Sequence, residues 1–314
     1  MSQIARTAAS ALGLDEDLTE ALALAHDIGH PPFAHSGEEE LNRQMQRFGE
    51  QFNHNLHALR LVETFEQRYA RFPGLNLTFE VREGMAKHSR DFERGESPVL
   101  DEYLPGLRPP LEAQLIDPAD EIAYNTADLD DAYSAQSFDA AAIASAVPEY
   151  GELWEDAEMQ FPGAPEKVKF QETLRRLIDH LASGLIEGTG EGAMESGVGS
   201  AEEIRRYPRR LARFSPGTQL VVGSLKKFLH QRVYFSEELQ TERARSVAMI
   251  RDLFQFFLDN PGQLPGNYRE QAEQQPPHRV VCDYIAGMTD GFFMRVYNNS
   301  GQAAISQFLG ALDK

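Results

Sequence analysis

The stretch LTEALALAHDIGHPPFAH, residues 18–35, decides both the local structure and the chemistry expected of this chain. Its apolar residues recur at the spacing of one helical face as far as Ile28. Asp15 or Asp17 can cap the start of that helix. Gly29 and the following prolines end it, because proline lacks a backbone N–H and clashes with the preceding turn. We therefore predict a helix that runs into a turn rich in polar side chains.

That turn concentrates groups that bind metals and move protons. Three of the nine histidines, His26, His30 and His35, fall within ten residues, and Asp27 lies beside the first. Imidazole and carboxylate together suit Mn²⁺, Fe²⁺ or Mg²⁺, whereas a closed zinc site would need cysteines that are absent nearby. A single buried histidine is usually a core residue, but this cluster favours a metal site at His26 and Asp27. Beyond the prolines, Glu38 follows His35 at a helical spacing at which the two can pair as base and orienting group.

Composition excludes several functional classes. The 314 residues include 30 basic and 49 acidic side chains, a net charge of −19. Such a protein is a poor general binder of nucleic acids or anionic membranes, so we expect neither as a partner. The single Cys282 cannot form an internal disulfide, and no secretory signal or membrane-spanning apolar run is evident, so we expect a cytoplasmic protein.

The rest of the chain has the periodicity of helices. We predict an all-α fold with helices over residues 56–68, 79–88, 111–133, 170–186, 220–235, 237–258 and 280–297. A helical core is expected over residues 1–135, with a helical C-terminal region, 136–314, packed against it. Five glycines in residues 188–199 predict a flexible connection.

Two further segments carry polar groups. Residues 115–124, LIDPADEIAY, place Asp120 at the border of an apolar helical face. It could supply a distant carboxylate ligand, although the spacing alone is more typical of a solvated acidic stripe. Residues 51–55, QFNHN, contain His54 and are weak evidence in isolation.

Five motifs stand out along the chain: HDIGHPPFAHSGEEELN (26–42), FNHNLHALRLVE (52–63), FPGLNLTFEVREGMAKHS (72–89), LEAQLIDPADEIAYNTADLDDA (111–132) and CDYIAGMTD (282–290). Taken together, they resemble those of the HD-domain deoxynucleoside triphosphate triphosphohydrolases, specifically the bacterial dGTPase-like proteins. The resemblance covers most of the chain, and residues 139–200 are its least distinctive part. It implies a helical HD core and a homo-oligomer. It also implies hydrolysis of dNTPs to deoxynucleoside and triphosphate with a divalent metal, Mn²⁺, Mg²⁺ or Fe²⁺.

The resemblance also implies a role for individual residues. The family's metal ligands match His26, Asp27 and Asp120. Its catalytic positions match His35, Glu38 and His54, of which His54 lies near the substrate phosphates. Its substrate-binding positions match His30 and Lys87 at the phosphates and Tyr124 and Asp128 at the sugar. The preferred dNTP stays open.

Two departures from the family pattern qualify these expectations. The family's first metal histidine precedes the segment that matches Ser2–Arg6, so we expect the true start of the gene product to lie upstream. Gly291 stands where relatives commonly carry a basic residue. Three alternatives therefore remain: another HD nucleotide phosphohydrolase such as a nucleotidase, a catalytically weakened nucleotide-binding subunit and, as the least favoured, a single-stranded nucleic-acid module.

Overall fold

The computed structural model describes residues 1–235 and 237–300, and in these residues the fold is all-α, as predicted. Outside the helices, the described residues form only two isolated β-bridges, between Gln67 and Gly74 and between Tyr69 and Phe72. The helices are α1 (Ser2–Leu12), α2 (Glu16–Ala25), α3 (Ala34–Gln46), α4 (His54–Arg60), α5 (Phe79–Lys87), α6 (Leu111–Gln114), α7 (Ile116–Ser134), α8 (Ala140–Ala146), α9 (Pro148–Gln160), α10 (Glu166–Ser196), α11 (Ala201–Arg206), α12 (Pro216–Leu229), α13 (Glu237–Asp259), α14 (Gly266–Ala272) and α15 (Pro277–Ala286). Short π-helical turns follow α4 (Leu61–Phe65) and α12 (His230–Tyr234), 3₁₀ turns cover Leu100–Glu102 and Pro261–Gln263, and residues 290–300 are helical.

Helix α2 begins as the sequence predicts and ends early. The Asp15 side chain caps it by accepting a hydrogen bond from the Leu18 N–H at 2.9 Å. The helix stops at Ala25, so His26 is its C-terminal cap and residues 27–29 form a turn. The HD pair therefore lies at the C-terminal end of α2.

The chain divides into two compact units, of which the first comprises Met1–His26 and Leu77–Leu239. The longest helix of this unit, α10, packs against α1, α7, α9 and α12. Its buried face contributes Leu177, Leu181 and Leu185 to the core. This helix positions α7, which carries three of the predicted site residues.

The prediction of a flexible connection over residues 188–199 was wrong. Helix α10 continues to Ser196 and ends at Gly197, whose φ of 68° is the left-handed conformation that glycine adopts without strain. A Cβ at Gly188 would lie 2.4 Å from the backbone of both Phe214 and Ser215. The glycines therefore allow a following segment to pack closely against the helix, a tertiary contact that composition alone cannot distinguish from flexibility.

The second unit comprises Asp27–Asn76 and Gln240–Lys314, of which residues 240–300 are described. Its core is a continuous apolar cluster from α3, α13 and α15 that includes Leu41, Ile250, Phe254 and Ile285. Cys282 is also buried there, and burial raises the pKa of its thiol. The predicted division into 1–135 and 136–314 stays a prediction, and its residues 301–314 lie outside the described residues. In the described part of the chain, no helix is long and apolar enough to cross a bilayer.

Candidate active site

In the first unit, His26 and Asp120 face each other as a pair of metal ligands would. The Nδ1–H of His26 donates to the Ala23 carbonyl at 2.9 Å, which directs Nε2 to within 3.6 Å of Asp120 Oδ1. This distance is too long for a hydrogen bond. It is close to the separation of about 3.0–3.5 Å expected for two ligand atoms that each lie about 2.1 Å from one ion. A backbone carbonyl that fixes the imidazole tautomer in this way is the usual support of a metal-binding histidine.

Predicted sugar-binding residues extend from Asp120 along the same face of α7. Tyr124 and Asp128 follow it at i+4 and i+8, which places the three side chains on successive turns of one helical face. Asp128 accepts a short hydrogen bond from the Tyr234 hydroxyl. Burial raises the pKa of Tyr124, and the nearby Glu121 carboxylate raises it further. Tyr124 therefore remains a neutral hydroxyl at physiological pH.

Two side chains beside this face were missed by the sequence analysis, namely Lys226 and Tyr234. Lys226 forms a 2.6 Å ion pair with Glu121, and the neighbouring Glu121 and Tyr124 raise the pKa of its ammonium. In sequence, Lys226 is one of two adjacent lysines on an amphipathic helix and resembles an ordinary solvated cation. Only the packing of α12 against α7 reveals that it supplies positive charge beside the predicted sugar-binding residues.

In the second unit, Glu38 is shared by two predicted catalytic histidines. Its carboxylate accepts the backbone N–H and the ring Nδ1–H of His54, each at 2.9 Å. Nδ1 of His35 lies 3.7 Å from the other carboxylate oxygen. His30 stacks on the His54 ring with 4.0 Å between centroids, and its Nδ1 lies 3.2 Å from Asp27 Oδ1. The structure thus brings together all five predicted site residues that this unit contains.

The electrostatics of this histidine cluster, defined as His30, His35, Glu38 and His54, suit proton transfer. Burial acts to raise the pKa of Glu38, but the neighbouring imidazoles of His35 and His54 outweigh it and hold that pKa well below its ordinary value of 4.5. The Glu38 carboxylate, 3.7 Å from Nδ1, raises the pKa of His35 above 6.5. The side chain of His35 is 80% exposed, whereas that of His54 is 13% exposed. Glu38 therefore stays ionised and orients a solvent-accessible imidazole that can hold a proton near neutral pH.

Close backbone approaches hold the cluster in place. A Cβ at Gly29 would lie 2.0 Å from the His54 carbonyl oxygen and 2.5 Å from Ala58 N, so the HD turn rests directly on α4. A Cβ at Gly37 would lie 1.9 Å from the Pro32 carbonyl oxygen. No larger residue fits at either position without moving backbone.

The structure places Lys87 differently from its predicted role as a phosphate contact. Its ammonium is fully buried and donates to Glu83 Oε1 at 3.0 Å and to the carbonyls of Leu104 and Leu107 at 2.8 and 3.1 Å. Burial lowers the pKa of Lys87, and Glu83 opposes that shift. All three ammonium protons are used inside the protein, so a phosphate would have to displace one of these acceptors. These contacts favour a structural role for Lys87, and its phosphate contact stays a prediction.

Comparisons with known proteins identify the family of this chain. Residues 1–125 match the HD domain, and residues 212–299 match the phosphohydrolase-associated domain. A deoxyguanosinetriphosphate triphosphohydrolase-like protein of Geobacter sulfurreducens is 40% identical over 93% of this chain and 75% of its own length. Proteins of the same name from Azoarcus sp. (strain BH72) and Bordetella pertussis are 40% and 39% identical, each over 94% of this chain and 77% of its own length.

Proposed function

This chain belongs to the HD-domain deoxyguanosinetriphosphate triphosphohydrolase-like proteins, and from that membership we propose that it hydrolyses deoxynucleoside triphosphates to deoxynucleoside and triphosphate. Water attacks the α-phosphorus, the bond from phosphorus to the 5′ oxygen breaks, and the triphosphate leaves intact. The water loses a proton and the 5′ oxygen gains one. The protein must therefore bind a polyanion, hold a reactive water and transfer protons.

The observation that carries this proposal is the sharing of Glu38 by His35 and His54. A carboxylate that is ionised at neutral pH and lies between two imidazoles supports a proton transfer site that works near neutral pH. We assign the proton to His35, which is exposed and can reach a substrate. His54 and His30, stacked on each other, are assigned to the phosphate oxygens.

A divalent metal fits the donor set of the first unit. His26 and Asp120 offer a neutral imidazole nitrogen and a carboxylate oxygen at the spacing of two ligands. Asp27, the next residue in the chain, is assigned as a third ligand from the resemblance alone. Mn²⁺, Mg²⁺ or Fe²⁺ suits these donors, and such an ion would polarise a phosphoryl oxygen and lower the pKa of bound water.

Tyr124 and Asp128 are assigned to the deoxyribose. They lie one and two helical turns beyond the metal ligand Asp120, in the order in which a nucleotide presents its α-phosphate and then its sugar. Lys226 supplies positive charge beside this face in a protein whose net charge is −19. Local cations of this kind are needed because the overall field repels a triphosphate.

The test is product analysis with each of the four dNTPs and with Mn²⁺, Mg²⁺ or Fe²⁺ supplied separately. It is run on this chain and on the longest in-frame product of the gene. We expect one triphosphate for each deoxynucleoside, separated by ion-exchange chromatography. Stepwise release of monophosphate would instead identify another nucleotide phosphohydrolase, and dNTP binding without turnover at saturating metal would identify a nucleotide-binding subunit.

A pair of variants ties the activity to the cluster. Glu38→Gln removes the charge that orients His35, and we expect kcat to fall by about a hundredfold or more. Glu39→Gln makes the same change at the next residue of α3, which is exposed, and should stay near wild type. Equal activity of both variants would remove the support that Glu38 gives to the proposal.

We also propose, from the resemblance, that the protein forms a homo-oligomer. Light scattering during size-exclusion chromatography tests this directly. A monomeric mass at micromolar concentration would contradict it.

A further inference from the structure

The motif CDYIAGMTD, residues 282–290, has no part in the function proposed above, although it carries two aspartates that contact the catalytic segments. Asp283 lies on α15, and Asp290 begins the helical residues 290–300. Both belong to the second unit, together with the histidine cluster. We propose that Asp283 and Asp290 are positioning residues that hold α4 and the start of α3 so that Glu38, on α3, reaches His54, on α4. The catalytic consequence of this proposal rests on the proposed function.

Asp290 holds the start of α3. Its Oδ1 accepts the Phe33 N–H at 3.0 Å, at a helix N-terminus that no local side chain caps. Phe33 and Ala34 adopt φ values of 63° and 48°, which are strained for residues other than glycine. The Phe33 ring also packs edge-to-face on Phe293 at 5.2 Å. A carboxylate from a distant part of the chain thus accepts the N–H of the N-cap residue and stabilises the conformation that leads directly to His35.

Asp283 holds α4. Its side chain is 1% exposed and accepts a short hydrogen bond from Arg60, at the last residue of the helix. The buried ring of His57 lies beside it, with Nδ1 3.8 Å from the second carboxylate oxygen. A buried carboxylate is stable only when paired, so the partner is held firmly. Since α4 has only seven residues, this anchor and the Asn53 cap at its other end fix the helix that begins with His54.

The two anchors act on one shared geometry. Glu38, on α3, accepts from both the backbone and the ring of His54, on α4, at 2.9 Å. These bonds persist only if α3 and α4 keep their relative position to within a few tenths of an ångström. Both helices are tied to the same nine-residue segment, residues 282–290. The C-terminal motif therefore sets the spacing within the catalytic cluster without contacting substrate.

Activity of Asp290 variants tests the catalytic part of this proposal. In Asp290→Ala the Phe33 N–H loses its acceptor, and we expect kcat to fall by about ten- to a hundredfold, the cost of a small misplacement. KM should change by less than about threefold, because the residue does not touch substrate. Asp290→Asn keeps an oxygen at the same place and should restore kcat to within about threefold of wild type.

Asp252→Ala is the matched control, since it removes a carboxylate of the same unit whose hydrogen bond, from Tyr297, lies outside the cluster. Wild-type kcat in Asp290→Ala would overturn the proposal, as would equal losses in the Ala and Asn variants.

Hydrogen–deuterium exchange tests the same anchors without any turnover. We expect Asp290→Ala to increase exchange at residues 33–38, whereas Arg60→Met, at a partly exposed position, should increase it at residues 54–60. Asp252→Ala should leave both segments unchanged. If the wild-type protein hydrolyses no dNTP, the proposed function fails while exchange still decides whether the anchors exist. Wild-type exchange in both segments of both variants would overturn the positioning role.

Discussion

Replacement of Gly29 by alanine tests how tightly the HD turn controls the histidine cluster. The added Cβ would lie 2.0 Å from the His54 carbonyl oxygen, whereas ordinary contacts begin at 3.4 Å. The first turn of α4 or the HD turn must therefore shift by about 1.4 Å, because the obstacle is backbone and cannot rotate away. A shift of that size is enough to break the 2.9 Å bonds between Glu38 and His54. We expect kcat to fall by about a hundredfold and the free energy of unfolding by about 1–3 kcal/mol.

The assay measures initial rates of triphosphate release together with thermal and urea unfolding of the same preparation. Gly223→Ala is the control, since a Cβ there meets nothing within 4 Å on the exposed face of α12. That substitution should stabilise the protein by about 0.5–1 kcal/mol and leave kcat unchanged. Wild-type kcat and stability in Gly29→Ala would refute the reasoning, since the turn would then tolerate a displacement that the cluster is argued to forbid.

Three further predictions concern charge and packing. The pKa of Glu38 is lowered, so its contribution to the free energy of unfolding is complete above its ordinary pKa of 4.5 and is lost as pH falls. The pKa of His35 is raised, so its contribution is complete below 6.5 and is lost as pH rises. Glu38→Gln should therefore cost most stability between about pH 4.5 and 6.5 in urea unfolding, and a pH-independent loss would contradict the pairing. Lys87→Met should lower the free energy of unfolding by about 3 kcal/mol and leave KM unchanged, because it breaks a buried ion pair. A raised KM with unchanged stability would instead support the predicted phosphate contact. Gly188→Ala should destabilise the protein by about 2 kcal/mol in thermal unfolding. Gly190→Ala should not, because a Cβ there meets only an ordinary contact at 3.8 Å. Equal effects of the two substitutions would contradict the packing of a later segment against Gly188.

The sequence was sufficient where a signal is local. Glycine and proline chemistry predicts that a helix ends before His30, although α2 already ends at Ala25, and the capping of α2 by Asp15 follows from side-chain geometry. The contact between His35 and Glu38 follows from i,i+3 spacing on one helix. Each of these features depends on residues a few positions apart, so periodicity and propensity determine it.

Features that depend on residues far apart in the chain could not be predicted from the sequence. The predicted helix over residues 111–133 divides at Leu115 into α6 and α7, and the one over 56–68 passes into a π-helical turn after Arg60. His54 appeared weak in sequence, since its partner Glu38 lies sixteen residues away. Lys87 lies in a motif that resembles the family, yet its burial depends on carbonyls of a later loop. In each case tertiary packing, which single-sequence patterns do not encode, decides the role.

The central claim is that water attacks the α-phosphorus of a dNTP and releases the triphosphate intact. The most direct measurement is mass spectrometry of the products formed by the metal-loaded protein in ¹⁸O-labelled water. The account predicts labelled triphosphate and unlabelled deoxynucleoside, with the label incorporated about a hundredfold more slowly in Glu38→Gln. Label in the deoxynucleoside, or in inorganic phosphate released one group at a time, would contradict it.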